Sequence, residues 1–236
     1  MSTQTHHSGK IVDIFNERIF PGTIEVRSGK IQSIVEDETV TETTFLCPGF
    51  IDAHVHIESS MLTPPEFARI AVRHGTTATV SDPHEIANVL GIEGVRLMQS
   101  LAQQTPLKIH FGIPSCVPAT GFETGGAILG PDAIEELCLD PSLLYLSEMM
   151  NFPGVIHRDP EVMNKIAIAQ RHGKHIDGHA PGLRGQDLRA YVEAGAAAAQ
   201  AQLDQAVREM PFLVQAARAG RNPHVFEHLM AAHLPI

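Results

Sequence analysis

Five apolar runs end at nearly constant intervals, and this recurrence constrains the fold more than any other feature of the chain. The runs close at His54, Asp82, Pro114, Glu148 and His179, which are 28, 32, 34 and 31 positions apart. Helical signals fill the gaps. Thr63-Pro64-Pro65-Glu66 is a capping-box pattern with proline at the first helical position. Phe67, Ile70 and Ala71 then give an apolar stripe, and Gly75 closes it. Further helical stretches lie at 85–103 and in DAIEEL, PEVMNKIAIAQRHG and GQDLRAYVEAG. Strand alternating with helix means βαβ units and a parallel sheet. A (β/α)8 barrel of roughly 250 residues allots about 31 residues to each unit. The spacing therefore predicts an α/β fold in which residues 46–195 supply units one to five of a TIM-type barrel. A doubly wound sheet is the alternative, but no GxGxxG follows the first strand.

Residues 1–45 have a different rhythm. Ile11, Ile14 and Phe15 lie in one short run, Ile24 and Val26 alternate with polar residues, and Ile31 and Ile34 follow. Ser28-Gly29 between the last two runs reads as a two-residue hairpin turn. This part is expected to be a small β module. Residues 196–236 carry no comparable pattern; Ala-rich 194–206 reads as a surface helix.

Barrel chemistry is built at the C-terminal ends of strands. Those ends carry His54-Val55-His56, Asp82-Pro83-His84-Glu85, Glu148 and His179. Residues i and i+2 of a strand point to one side, so His54 and His56 can aim two imidazoles at one ion. Glu148 offers two carboxylate oxygens, enough to bridge two ions, and His179 adds another nitrogen. Such a nitrogen and oxygen set suits Zn, Mn or Fe. Asp82 has a second reading, as a cap of the helix that follows, and Glu85 reads as a first-turn helix acid. Other metal patterns fail. His84-Glu85-Ile86-Ala87-Asn88 misses HExxH at its last position, and the HxE…PCxxC signature is absent. His224-Val225-Phe226-Glu227-His228 matches HxxEH but has no third ligand beside it.

Composition excludes several partners. The formal net charge of −10 argues against a nucleic-acid or anionic-membrane surface. No apolar stretch is long enough to span a bilayer, and MSTQTHHSGK lacks the apolar core of a secretory signal. Cys47, Cys116 and Cys138 show no CxxC spacing, which suits a reducing cytoplasm.

The stretches PGFIDAHVHIESSM (48–61), HGTT (74–77), DPHEIANVLG (82–91), PSCVPAT (114–120), EMMNFPGV (148–155) and DGHAPGL (177–183) resemble the bacterial adenine deaminase family of the amidohydrolase superfamily. The resemblance covers residues 10–195 almost continuously. It implies a metal-dependent hydrolase barrel beside a small β-sandwich, with residues 1–45 as the N-terminal sandwich segment. It also implies a binuclear divalent-metal centre, with Mn or Fe usual and Zn possible. His54 and His56 would hold one ion, Glu148 would bridge, and His179 would bind the other. The reaction would be hydrolytic deamination of a purine base, adenine to hypoxanthine and ammonia. Glu148, Asp82, His84 and Glu58 are the candidates for catalysis.

The tail departs from the resemblance. Gln200 and Ala201 stand where the family has His and Glu, and the strand that would bring a metal-binding Asp is not found before Ile236. The sequence reading is therefore of an incomplete barrel with a diverged or truncated tail at 196–236. Such a barrel is expected to work as a homo-oligomer or with a complementing chain. A non-catalytic homologue and an amidohydrolase acting on another cyclic amide stay open as alternatives.

Overall fold

The computed structural model describes residues 4–196, in two compact units that divide between Gly49 and Phe50. The first unit is a four-stranded sheet. It contains β1 (Gln4–Asp13), β2 (Arg18–Arg27), β3 (Lys30–Glu36) and β4 (Phe45–Leu46), in the order β3-β2-β1-β4. Ser28 and Gly29 both have positive φ, 52° and 74°, as a two-residue turn between β2 and β3 requires. The three-residue step from Ile31 to Ile34 would put these side chains on opposite faces of a regular strand. A register shift between Glu25 and Val26 corrects this, so Ile24 faces Ile34 and Val26 faces Ile31. Leu46 pairs with Ile11, so the short β4 belongs to this sheet.

The second unit is a parallel sheet of β5 (Phe50–Val55), β6 (Thr76–Ser81), β7 (Lys108–Pro114), β8 (Leu143–Met149) and β9 (His175–Gly178). Its order is β5-β6-β7-β8-β9. A doubly wound sheet reverses its strand order at the switch point. This one never does, so it is an α/β fold of the barrel type, incomplete among the described residues. The connecting helices are α1 (Pro64–Ala71), α2 (His84–Leu90), α3 (Ile92–Ala102), α4 (Pro131–Cys138), α5 (Phe152–Ile156), α6 (Pro160–Arg171) and α7 (Gly185–Tyr191).

The central strands β7 and β8 are buried on both faces over most of their length, as parallel strands under helices are. In β8 every residue but Leu144 is buried. Ile113, Leu143, Leu146 and Met149 meet Val162, Ile166 and Ala169 of α6 and Ile134 and Leu137 of α4 in one core. The α6 helix starts where its sequence says it should. Asp159 accepts from the Glu161 and Val162 amides, and Pro160 fills the first turn. The capping box at α1 does not form: Thr63 makes no side-chain cap, and Glu66 pairs with Arg69 at 2.7 Å instead. The helical stretch expected over 85–103 is two helices, broken at Gly91, whose φ of 61° and ψ of −141° suit glycine alone.

Between β7 and β8 there is no room for a side chain at Gly112. A Cβ there would stand 2.7 Å from the Ser147 Cβ and 2.7 Å from the Tyr145 ring. Gly112→Ala is expected to cost about 1–3 kcal/mol, the usual penalty for overpacking. A lower urea midpoint would show it, and an unchanged midpoint would mean that the two strands part freely.

Candidate metal centre

The ends of β5, β6, β8 and β9 bring their polar residues to one place. His54 and His56 leave β5 two residues apart, and their Nε2 atoms are 3.1 Å from each other. His84 opens α2 just beyond β6, with its ring centroid 4.6 Å from that of His56. Glu148, the penultimate residue of β8, lies among them with only 5% of its side chain exposed. Its Oε1 is 2.8 Å from His54 Nε2 and 3.3 Å from His179 Nδ1. Its Oε2 is 3.5 Å from His56 Nε2 and 3.7 Å from His84 Nδ1. One buried carboxylate thus faces four imidazoles, two on each oxygen. Among the described residues no Lys or Arg pairs with it.

The backbone holds Glu148 in place. Ser115 at the end of β7 donates its hydroxyl to the Glu148 carbonyl at 2.7 Å, and the buried Lys165 ammonium donates to the Ser115 carbonyl at 3.3 Å. The His56 imidazole is oriented by its other nitrogen. Nδ1–H donates to the Asp82 carbonyl at 2.9 Å, which turns Nε2 toward Glu148. Asp82 does not cap α2; its Oδ2 accepts from His84 Nδ1 at 3.1 Å.

The electrostatics follow from this packing. The hydrogen bond to Glu148 raises His56 to about 9, against the opposing effect of burial. The same kind of bond raises His54. Burial pulls His84 down, but the bond to Asp82 and its charge outweigh this and raise it. Burial pushes the Glu148 carboxyl up, yet hydrogen bonds from His54 and His56 hold it well below the usual range. Glu58, in the short turn Ile57–Ser60, is raised by burial.

Four of these residues make a candidate metal-binding cluster. One donor atom each from His56, Asp82, His84 and Glu148 lies within 4.8 Å of the others. Two buried carboxylate oxygens nearby, Asp82 Oδ1 and Glu58 Oε2, have no hydrogen-bond partner. Buried polar atoms are rarely left so, and a bound cation would satisfy an unpaired carboxylate oxygen. The donor set of imidazole and carboxylate suits a first-row divalent ion.

Every residue named from the sequence as a site candidate is near this cluster or in contact with Glu148; Glu58, close enough to feel the Asp82 charge, accepts from the Ile86 amide at 3.4 Å. Two residues were not foreseen. Asp177 brings Oδ2 to 3.9 Å from His54 Nδ1. Its place two residues before His179, on the same strand side, could have signalled it. Tyr191 donates to the Met149 carbonyl, a contact no local pattern foretells. Glu85 accepts from Ser59 in the first turn of α2. Gln200, Ala201, the HxxEH pattern at 224–228 and the tail beyond Ala196 lie outside the described residues. Among the described residues no helix is long and apolar enough to cross a membrane.

Parallel strands in unbroken order, with histidines and acids gathered at their C-terminal ends, give an incomplete α/β barrel with a candidate metal site. The amidohydrolase family model matches residues 45–208, and the chain belongs to that family. Within the family its sequence is similar to the adenine deaminases. That of Sulfurovum sp. (strain NBC37-1) is 53% identical over 228 residues, covering 94% of this chain and 43% of that protein. That of Methanosarcina mazei is 56% identical over 189 residues, covering 80% of this chain and 34% of that protein. The chain thus spans less than half the length of these relatives. Among solved structures, N-isopropylammelide isopropylaminohydrolase from Burkholderia multivorans ATCC 17616 superposes with a TM-score of 0.46 at 15% identity, over 86% of this chain and 58% of that one.

Proposed function

We propose that the chain carries the metal-holding part of an adenine deaminase, which converts adenine and water to hypoxanthine and ammonia. The observation that carries this reading is Glu148, whose two oxygens each face two imidazoles at the strand ends. The substrate comes from the similarity to named adenine deaminases. In this reading the centre is binuclear, with Mn or Fe as the metal. His54 and His56 serve one ion, Glu148 bridges and His179 serves the other, while Asp82 and His84 stand on the His56 side. When bound, a divalent ion supplies Lewis acidity that brings the pKa of water toward about 7.

The chain's own residues supply proton handling. Hydrolysis needs water to add at C6, a proton to reach ring N1, and another to reach the exocyclic nitrogen before it leaves as ammonia. His84 is held by Asp82 through Nδ1, which leaves Nε2 free to exchange a proton. Glu58 is raised by burial and so holds a proton closer to neutrality than an ordinary carboxyl does. Both are the acid and base candidates.

Gln200 and Ala201, in place of the His and Glu the resemblance expects, favour a second reading, a metal-binding homologue that turns over only with a complementing chain. Incubating the Mn(II)-loaded full chain with adenine separates the readings. Hypoxanthine and ammonia in equal amounts are expected. Metal bound without turnover would favour the second reading, and opening of a cyclic amide such as a hydantoin with adenine untouched would overturn the substrate assignment.

A further inference from the structure

We infer that Tyr191 is the positioning residue that sets how His179 meets Glu148. The inference rests on the reading that His179 holds a metal ion. β9 is short, and its last ladder pair joins Met149 to Gly178. His179 lies one residue past that pair, where no strand holds its backbone. Its N–H donates to the Tyr191 hydroxyl at 3.0 Å. The same hydroxyl donates to the Met149 carbonyl at 2.7 Å. Met149 follows Glu148 directly, so one hydroxyl replaces the missing rung between the two residues that carry the facing side chains. Tyr191 ends α7 and is 3% exposed, so water does not compete for either bond. By contrast the His179 side chain is 48% exposed. The 3.3 Å approach of His179 Nδ1 to Glu148 Oε1 therefore depends on the backbone that Tyr191 holds.

The removal of this hydroxyl should act on one ion and not on the other. Ligand-supporting hydrogen bonds are commonly worth about 10- to 100-fold in metal affinity. The test is Mn(II) affinity of the full chain, by chelator competition, for the unaltered protein, Tyr191→Phe, His179→Ala and the double variant. Tyr191→Phe is expected to weaken the ion that His179→Ala weakens, by about 10- to 100-fold, and the double variant to be no worse than His179→Ala. If His179→Ala weakens binding and Tyr191→Phe does not, the inference is overturned while the metal reading stands. If His179→Ala leaves binding unchanged, the metal role of His179 falls and the inference falls with it. Should Tyr191→Phe not be recovered folded, hydrogen exchange at the His179 amide of the unaltered chain decides. Mn(II) should slow that exchange, and exchange indifferent to Mn(II) would overturn the inference.

Discussion

Glu148→Ala is expected to strip the chain of divalent metal far more completely than His179→Ala. The carboxylate is the one anion shared by four imidazoles, and each of its oxygens faces two of them. Removing it takes a ligand from both sides of the centre and leaves only Asp82 and Asp177, each beside a single imidazole, to offset the positive charge. Truncating one member of a buried hydrogen-bonded charge pair costs about 2–5 kcal/mol, which is roughly 30-fold to several thousand-fold in affinity. His179 contributes a half-exposed ring to one oxygen only, so its loss should weaken one ion and cost less than the loss of Glu148. The competing explanation is that Glu148 is a buried strand acid neutralised by a neighbouring Lys or Arg. No such partner stands beside it among the described residues. Metal content and thermal unfolding on the same Glu148→Ala sample separate the two explanations. A folded variant with normal metal occupancy would end the bridging assignment.

The second large effect is an opposite response to pH with and without metal. In the metal-free chain His56 rises from its ordinary 6.5 to about 9 through its bond to Glu148. A raised value stabilises the fold fully below 6.5 and loses that contribution as pH climbs to about 9. Glu148 is depressed from 4.5, so its contribution is present above that value and is lost as pH falls below it. The metal-free chain should therefore be most stable between about 4.5 and 6.5 and soften toward 9. Metal binding must displace the His56 proton, so affinity should rise over the same interval, about tenfold per pH unit for each proton released. Thermal unfolding against pH, run with chelator and with Mn(II), checks both slopes. Parallel curves would show that no proton is exchanged for metal at His56.

Much of this arrangement is legible in the chain because it depends on short-range pattern. The strands announce themselves as apolar runs, and the strand ends carry the histidines in register because barrel units repeat. His54 and His56 share a side because a strand has period two. What the sequence hides is tertiary. Only the folded chain shows that Glu148 divides its oxygens between two pairs of histidines, or that Asp82 spends its side chain on His84 rather than on the helix cap. Tyr191 reads as an ordinary apolar position of α7, and its role appears only when the helix delivers the hydroxyl between Met149 and His179. Gly91 was visible as a glycine, but the break there follows from a backbone angle that the helical pattern on either side concealed.

The central claim is that His56, Asp82, His84 and Glu148 form a divalent-metal site in this chain. Equilibrium dialysis of the purified full chain against Mn(II), followed by metal analysis, tests it most directly, with His56→Ala and His84→Ala dialysed alongside. The account predicts at least one tightly held ion per chain, weakened in both variants while they remain folded. A folded, unaltered chain that emerges from dialysis without metal, or variants that bind as the unaltered chain does, would contradict it.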